Sequence, residues 1–141
     1  MRALFDALKA RYRGHPVLRA KGRDLLEGLN ETERLSVTRP YTEVNFEMTE
    51  RLDTWGSDVE TWQATFRYHA ASIQTLSAHD WLEAMQDTFK DANIVSPFFH
   101  CAGTVMRTSS GASESDGGYD ASAVFDIFIQ RQVTNPAPVS A

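Results

Sequence analysis

Two neighbouring stretches of the chain alternate apolar and polar residues with the two-residue period of a β-strand. The first begins at Pro40–Tyr41 and places Val44, Phe46 and Met48 on one face. The second covers residues 61–70 and follows a connection with the sequence TWGSD. Alternate side chains of a strand point to opposite faces, so the pattern predicts an antiparallel hairpin with one polar face. That polar face is either simply solvated or lines the wall of a larger assembly, and it carries Glu43, Asn45, Glu47, Gln63, Thr65 and Arg67.

Two other stretches have the 3.6-residue period of an amphipathic helix. In residues 3–12 the apolar stripe consists of Leu4, Phe5, Leu8 and Tyr12. Gly14 and Pro16 are expected to end this helix soon afterwards. Ser77 is expected to cap a second helix, because Asp80 follows it at capping-box spacing. The apolar stripe of that helix consists of Trp81, Leu82, Met85 and Phe89.

The rest of the chain completes an α+β pattern. Residues 18–40 show neither period cleanly and are interpreted as an irregular crossing, with a short turn or strand near Leu25–Leu29. Two further strands are predicted near Phe98–Thr108 and Asp120–Val133. This order of elements predicts an antiparallel sheet of about four strands, with an N-terminal helix and a central helix packed on one face.

A chain of 141 residues is long enough for one domain with one hydrophobic core. We expect a single α+β domain over residues 1–133 and a flexible C-terminal tail over residues 134–141, which contains two prolines. The predicted core consists of Leu4, Phe5, Leu8, Val44, Phe46, Trp62, Phe66, Trp81, Leu82, Met85, Phe89, Phe125 and Ile127.

Residues 108–118 form a polar segment between the last two predicted strands, with three glycines and no large apolar residue. We expect a loop far longer than a hairpin needs, either a plain surface loop or an arm that becomes ordered on a neighbouring molecule. Trp55, at the tip of the first hairpin, either folds back on the sheet edge or serves as a contact residue. For the adjacent Phe98 and Phe99, burial on both sides of a strand is the favoured interpretation.

No set of residues predicts catalysis, so we expect neither enzymatic activity nor a cofactor or metal. The four histidines lie at no ligand spacing, and the single cysteine, Cys101, excludes an internal disulfide and a cysteine metal cluster. On a strand, His100 and Cys101 would point to opposite faces and could not form a nucleophile pair. The net charge of -5 disfavours tight wrapping of nucleic acid, but it suits a surface past which DNA slides.

Several sequence features, taken in order, resemble one family. After the amphipathic helix come the strand entry RPYTEV, the linker TWGSDVETW, the strand ATFRYHA, the helix SAHDWLEAMQDTF and two strands separated by a polar loop, ending FDIFIQRQ. Over roughly residues 1–133, this order resembles the small tail-terminator and tail-completion proteins of long-tailed bacteriophages and gene transfer agents.

The resemblance implies a structural virion protein that forms a ring, typically hexameric, on the tail tube. Such a ring ends tube polymerisation and joins the tube to the head connector. Its partners are other copies of itself, the tail tube protein and the head–tail connector protein, while genome DNA passes through the channel without specific binding. The location is the head-proximal end of the virion tail, after assembly in the host cytoplasm and without a membrane. The candidate interface residues are Trp55, Thr108, Ser109, Ser110, Gly111, Glu114, Asp116 and Gly117.

A second hypothesis belongs to another class of protein. A curved antiparallel sheet with helices on its concave side can hold a small apolar ligand, as in cyclase-like and isomerase-like cups. The lining of such a cup would be Trp62, Phe66, Tyr68 and Phe125. An enzyme of this kind needs an acid or a histidine on the inner face, whereas Asp126 and His69 fall on the polar phase.

Overall fold

The computed structural model describes residues 2–22, 25–38, 40–54, 57–70, 75–115 and 118–132, which form helices and strands in an α+β order. The helices are α1 (Arg2–Arg13), α2 (Pro16–Gly22), α3 (Glu31–Ser36) and α4 (Thr75–Phe89). The strands are β1 (Leu25–Glu27), β2 (Tyr41–Thr54), β3 (Ser57–His69), β4 (His100–Ser115) and β5 (Gly118–Gln132). The predicted C-terminal tail lies outside the described residues.

The strands form one mixed sheet in the order β1-β2-β3-β5-β4. The pairs β2–β3, β3–β5 and β4–β5 are antiparallel, as the alternation predicted. The expectation of about four antiparallel strands is incomplete, because β1 adds a fifth strand that runs parallel to β2. A parallel neighbour requires a crossover connection, and the chain between β1 and β2 contains α3. β1 lies where a short turn or strand was predicted, near Leu25–Leu29, but three paired residues are too few to show a clear strand period.

Two short helices occupy the stretch that was interpreted as irregular. α1 ends at Arg13, as Gly14 and Pro16 predicted. Pro16 also begins α2, because its fixed φ suits the first position of a helix. α3 begins with a reciprocal cap, in which the Glu33 amide donates to Asn30 Oδ1 at 2.8 Å and the Asn30 amide donates to Glu33 Oε1 at 3.3 Å. Further along, α4 begins at Thr75, so Ser77 lies inside this helix and is not its cap.

The core lies between the sheet and helices α1, α2 and α4, and it follows the sequence prediction closely. Phe46, Trp62 and Leu82 are only half-buried at its margin, and the other predicted core residues are buried. The Phe66 ring lies 4.8 Å from the Phe89 ring, which joins β3 to α4. These contacts remove large apolar surfaces from water and supply the main driving force for this fold.

One buried polar side chain, Thr42, connects two helices to the sheet. The Tyr12 hydroxyl of α1 lies 2.8 Å from Thr42 Oγ1 and donates to the Leu18 carbonyl oxygen at 3.1 Å. From α4, Trp81 Nε1–H donates to the same Thr42 oxygen at 3.1 Å. Buried polar groups must be paired, so these hydrogen bonds set the positions of α1 and α4 on β2.

Candidate functional site

The polar segment between the last two strands is itself a strand along most of its length. Ser110 pairs with Ser122, and Ser115 pairs with Gly118, so β4 and β5 form a long hairpin. The expectation of a long loop is therefore wrong. Serine and glycine have low strand propensity, but main-chain pairing with β5 supplies the hydrogen bonds whatever the side chains are. The ladder contains three register shifts, one of them between Ser110 and Ser113.

The candidate interface residues fall into two groups. Thr108 and Ser109 are exposed on β4, and Ser110, Gly111 and Glu114 also belong to that strand. The other candidate residues, Trp55, Asp116 and Gly117, lie outside the described residues. The described part of this set is thus arranged along one outer strand of the sheet rather than on a separate arm.

The outward face of the sheet, opposite the helices, contains a buried polar corner. Its side chains Glu43 and His69 are only 1% and 6% exposed. The His69 ring stacks on Tyr41 at 4.4 Å. Its Nδ1 lies 3.2 Å from Asp120 Oδ1, and its Nε2 lies 3.8 Å from Glu43 Oε2. The expectation that Glu43 is solvated is therefore wrong, because strand register places it diagonally across from His69.

The turn before β4 holds an aromatic side chain in solvent. Ile94 and Phe99 are buried, whereas Val95 and Phe98 are 81% and 75% exposed. Ser96 forms a β-bridge with Phe99, and the Phe98 amide donates to Ser96 Oγ at 3.1 Å. Burial of both phenylalanines is thus a wrong expectation for Phe98. Because buried residues anchor both ends of the turn, the fold itself sets the position of Phe98.

Exposed large hydrophobic side chains gather at the lateral edges of the sheet. Among the described residues they are Met48, Leu52, Val95, Phe98 and Val105. The first two belong to β2, and the other three belong to β4 or to the turn before it. No pattern in the sequence indicates this grouping, because the order of strands in the sheet decides which strands lie at an edge.

Chemically reactive residues are dispersed. Within the described ranges, no three His, Cys, Asp or Glu side chains are arranged to hold a metal ion. Cys101 is buried, with its Sγ 3.5 Å from the Gly103 carbonyl oxygen, while His100 is exposed. These two residues point to opposite sides of β4, as predicted. No helix built from the described residues is long and apolar enough to cross a membrane.

The space that a ligand cup would need is filled by side chains. Phe66 contacts Phe89 at 4.8 Å and Phe125 at 5.9 Å between ring centroids, and Tyr68 stacks on Trp81 at 5.4 Å. Burial raises the pKa of the Tyr68 hydroxyl, and the nearby Asp80 carboxylate raises it further. Phe89 of α4 also lies 5.9 Å from Phe125, so α4 packs directly on three of the four residues proposed to line the cup, and these side chains leave no room for a ligand there.

Comparisons with known proteins find a similarity of fold. No protein-family profile and no curated protein matches the sequence. Among solved structures, the chain is similar to a chain of the virion of a native gene transfer agent particle, with a TM-score of 0.68 and 16% sequence identity. The match covers 91% of this chain and 95% of that chain. The two chains therefore share a fold along nearly their whole lengths.

Proposed function

We propose that this protein is a non-enzymatic structural component of the virion of a long-tailed phage or gene transfer agent. The observation that carries the proposal is the match to a gene transfer agent virion chain, over 91% of this chain and 95% of the other. Coverage this high concerns a whole domain rather than a shared hairpin or helix pair. The filled core supports a role that depends on surfaces and not on a ligand cavity.

More specifically, we propose a hexameric ring at the head-proximal end of the tail tube. The ring ends tube polymerisation and joins the tube to the head connector protein, and genome DNA passes through its channel. The order of the sequence elements supports this role, as does the net charge of -5, since a negatively charged wall does not retain DNA. The location is the virion tail, after assembly in the host cytoplasm.

The proposed contact residues come from two separate stretches of the sequence. They are Trp55, Thr108, Ser109, Ser110, Gly111, Glu114, Asp116 and Gly117. We now place the described members of this set on the outer strand β4 rather than in an extended loop. The backbone groups on the outer side of an edge strand are natural sites for contact with another chain.

Deleting the gene in the producing strain tests this role. We expect particles whose tails are overlong or fail to join heads, as seen by negative-stain electron microscopy. A plasmid copy of the wild-type gene should restore normal particles and serves as the control. Tails of normal length attached to full heads in the deletion strain would falsify the proposed role.

A further inference from the structure

Exposed apolar residues at the two lateral edges of the sheet lie at the two ends of the same cross-strand row. Leu52 pairs with Val59, Val59 with Gln130, and Gln130 with His100. One row across the sheet therefore begins at Leu52 on β2 and ends at His100 on β4. Phe98 precedes His100 by two residues, and both Leu52 and Phe98 are more than half exposed.

A depression lies at the β4 end of this row. It has a volume of about 410 Å³ and is lined by Pro97, Phe98, Phe99, His100 and Gln130. A cavity of about 150 Å³ is enough to hold a benzene molecule, so this depression can accept a leucine side chain. Leu52 of the same copy cannot reach it, because β3 and β5 lie between the two edges.

The same two edges carry opposite charges in a second row. Glu47 pairs with Gln63, and Gln63 pairs with Asp126. On β4, Val105 pairs with Asp126 and so ends this row. Arg107 stands two residues further along, at a register shift, and its guanidinium lies 3.0 Å from Asp126 Oδ2, which brings its charge beside the row on the outward face. The Arg107 side chain is 60% exposed, and Glu47 is exposed at the other edge.

Both edges also have long stretches of backbone that pair with no other described strand. On the side of β2 away from β3, β1 pairs only with Thr42, Glu43 and Val44, and no other described strand pairs with residues 45–54. On the side of β4 away from β5, no strand of the described residues pairs with it. Such edges favour pairing with another chain.

We propose that a second copy of this chain docks head to tail, with the β4 edge of one copy against residues 45–54 of the next. Leu52 of one copy then enters the depression beside Phe98 of its neighbour, and Glu47 faces Arg107 of that neighbour. The apolar contact supplies most of the affinity, and the charge pair sets the register. This contact specifies how neighbouring copies meet in the proposed ring. That successive contacts close into a ring rests on the proposed function.

Rotational symmetry explains why the two rows must match. Copies related by rotation alone keep every residue at the same height along the ring axis, so strands that run along this axis meet their neighbours row by row. A two-fold contact is disfavoured by charge, because two β4 edges would each bring Arg107 and two β2 edges would each bring Glu47. Head-to-tail contacts instead bring unlike charges together and can close into a ring.

Cysteine cross-linking of the purified full chain tests this contact. Glu47→Cys and Arg107→Cys are made singly and together, and a bismaleimide reagent is added at high protein concentration. Cys101 is buried, so it is a poor target, and the wild-type chain reports any background. We expect the double variant to give a ladder of dimers, trimers and larger species. A mixture of the two single variants should stop at dimers, and each single variant alone should stay monomeric.

Two matched variants sharpen the result. Arg67→Cys is exposed on the same outward face but lies on β3, inside the sheet, so combining it with Glu47→Cys should give no ladder. Phe98→Asp in the double-cysteine variant should lower the yield of cross-linked species about tenfold or more, while Phe98→Leu should largely preserve it. Circular dichroism checks that every variant is folded.

The outcomes separate this contact from the proposed role. Dimers from Arg107→Cys alone would indicate two-fold pairing and overturn the proposal. A double variant that stays monomeric would also overturn it. A ladder together with normal tails in the deletion strain would refute the tail-terminator role and leave the contact standing. Abnormal tails in the deletion strain, without a ladder of cross-linked species, would support the tail-terminator role and refute the contact.

Discussion

The two faces of the sheet arise from one alternating pattern, but their polar residues differ in burial and in pairing. On the helix-covered face, Thr42 is buried and paired with Tyr12 and Trp81. On the outward face, Glu43 and His69 are buried at one end, whereas Glu47, four residues further along β2, is exposed. Alternation therefore determines which face a side chain belongs to, but not whether the side chain reaches water.

The difference shows that the burial of a side chain on the outward face depends on its neighbours on the adjacent strands. Glu43 is enclosed because His69 lies diagonally across the β2–β3 pair, and Asp120 approaches His69 from β5. Removing charges from water costs free energy unless they are paired, so such a corner requires its partners to be in place. The helix-covered face depends mainly on apolar packing instead.

The strongest test of this comparison removes aromatic packing from the helix-covered face. Trp81→Ala deletes the stack on Tyr68 and the hydrogen bond to Thr42, and Phe66→Ala deletes the contacts with Phe89 and Phe125. We expect each change to lower the free energy of unfolding by about 3–5 kcal/mol. Urea denaturation measures the effect.

Arg67→Ala on the outward face is the matched control. This side chain is exposed on the same strand as Phe66, so its loss should change stability by about 0.5 kcal/mol or less. Denaturation midpoints near the wild-type value for both aromatic variants would contradict the packing described for α4 and β3.

A second test compares two glutamates on the same strand and the same face. Glu43→Ala removes a buried carboxylate beside His69, and should cost about 1–3 kcal/mol. Glu47→Ala removes an exposed carboxylate, and should cost about 0.5 kcal/mol or less. Urea midpoints of the two variants measure the difference, and equal effects would show that the polar corner is not a stabilising feature.

A third test uses pH on the helix-covered face. Burial and Asp80 raise the pKa of Tyr68, so the folded protein holds this proton more tightly than the unfolded chain does. The resulting stability is complete below the ordinary tyrosine pKa of about 10, and is lost as pH rises through the higher folded value. The gap in free energy of unfolding between the wild type and Tyr68→Phe should therefore shift against the wild type in alkaline solution, because only the wild type carries the ionisable hydroxyl. A gap that stays constant or shifts in favour of the wild type between pH 8 and about 11 would contradict the assignment.

The smallest effect on stability is expected at the tip of the β4–β5 hairpin, beyond the pair between Ser113 and Asp120. Replacing residues 114–119 with Asn-Gly removes only two paired positions of this ladder, so folding should be preserved within about 1 kcal/mol. In the deletion strain, however, the shortened protein should fail to restore normal tails. An unfolded monomer would show that the tip is structural, and full restoration of tails would show that the tip makes no essential contact.

Local patterns predicted most of the elements and nearly all of the core. The misses have physical causes, beginning with the polar residues of β4, which hydrogen-bond to β5 through the backbone and so need no apolar alternation. The spacing of Asn30 and Glu33 matches a capping box, which marks the start of α3 in the sequence. The exposed position of Phe98 follows from the bridge between Ser96 and Phe99, which a simple strand pattern does not contain.

The proposed contact could not have been located from the sequence. Glu47 and Arg107 are widely separated along the chain. Only the registers of β2, β3 and β5, together with the Arg107–Asp126 ion pair, show that their charges flank one cross-strand row. Sequence reasoning proposed β4 residues such as Thr108 and Ser109 for the interface from their composition. These residues lie on the outer strand β4, where they remain candidates for the interface. β4 also forms the edge opposite β2 that a head-to-tail partner would contact.

By itself, the sequence determined the phase of each strand, the apolar stripe of α1 and α4, and the membership of the core, because these depend on the spacing of consecutive residues. The tertiary structure decided which strands lie at the edges, which polar side chains are buried and which aromatic residue remains in solvent. These properties depend on hydrogen bonds and packing between residues far apart in the chain, such as His69 with Asp120. Spacing within one strand carries no information about the register of another.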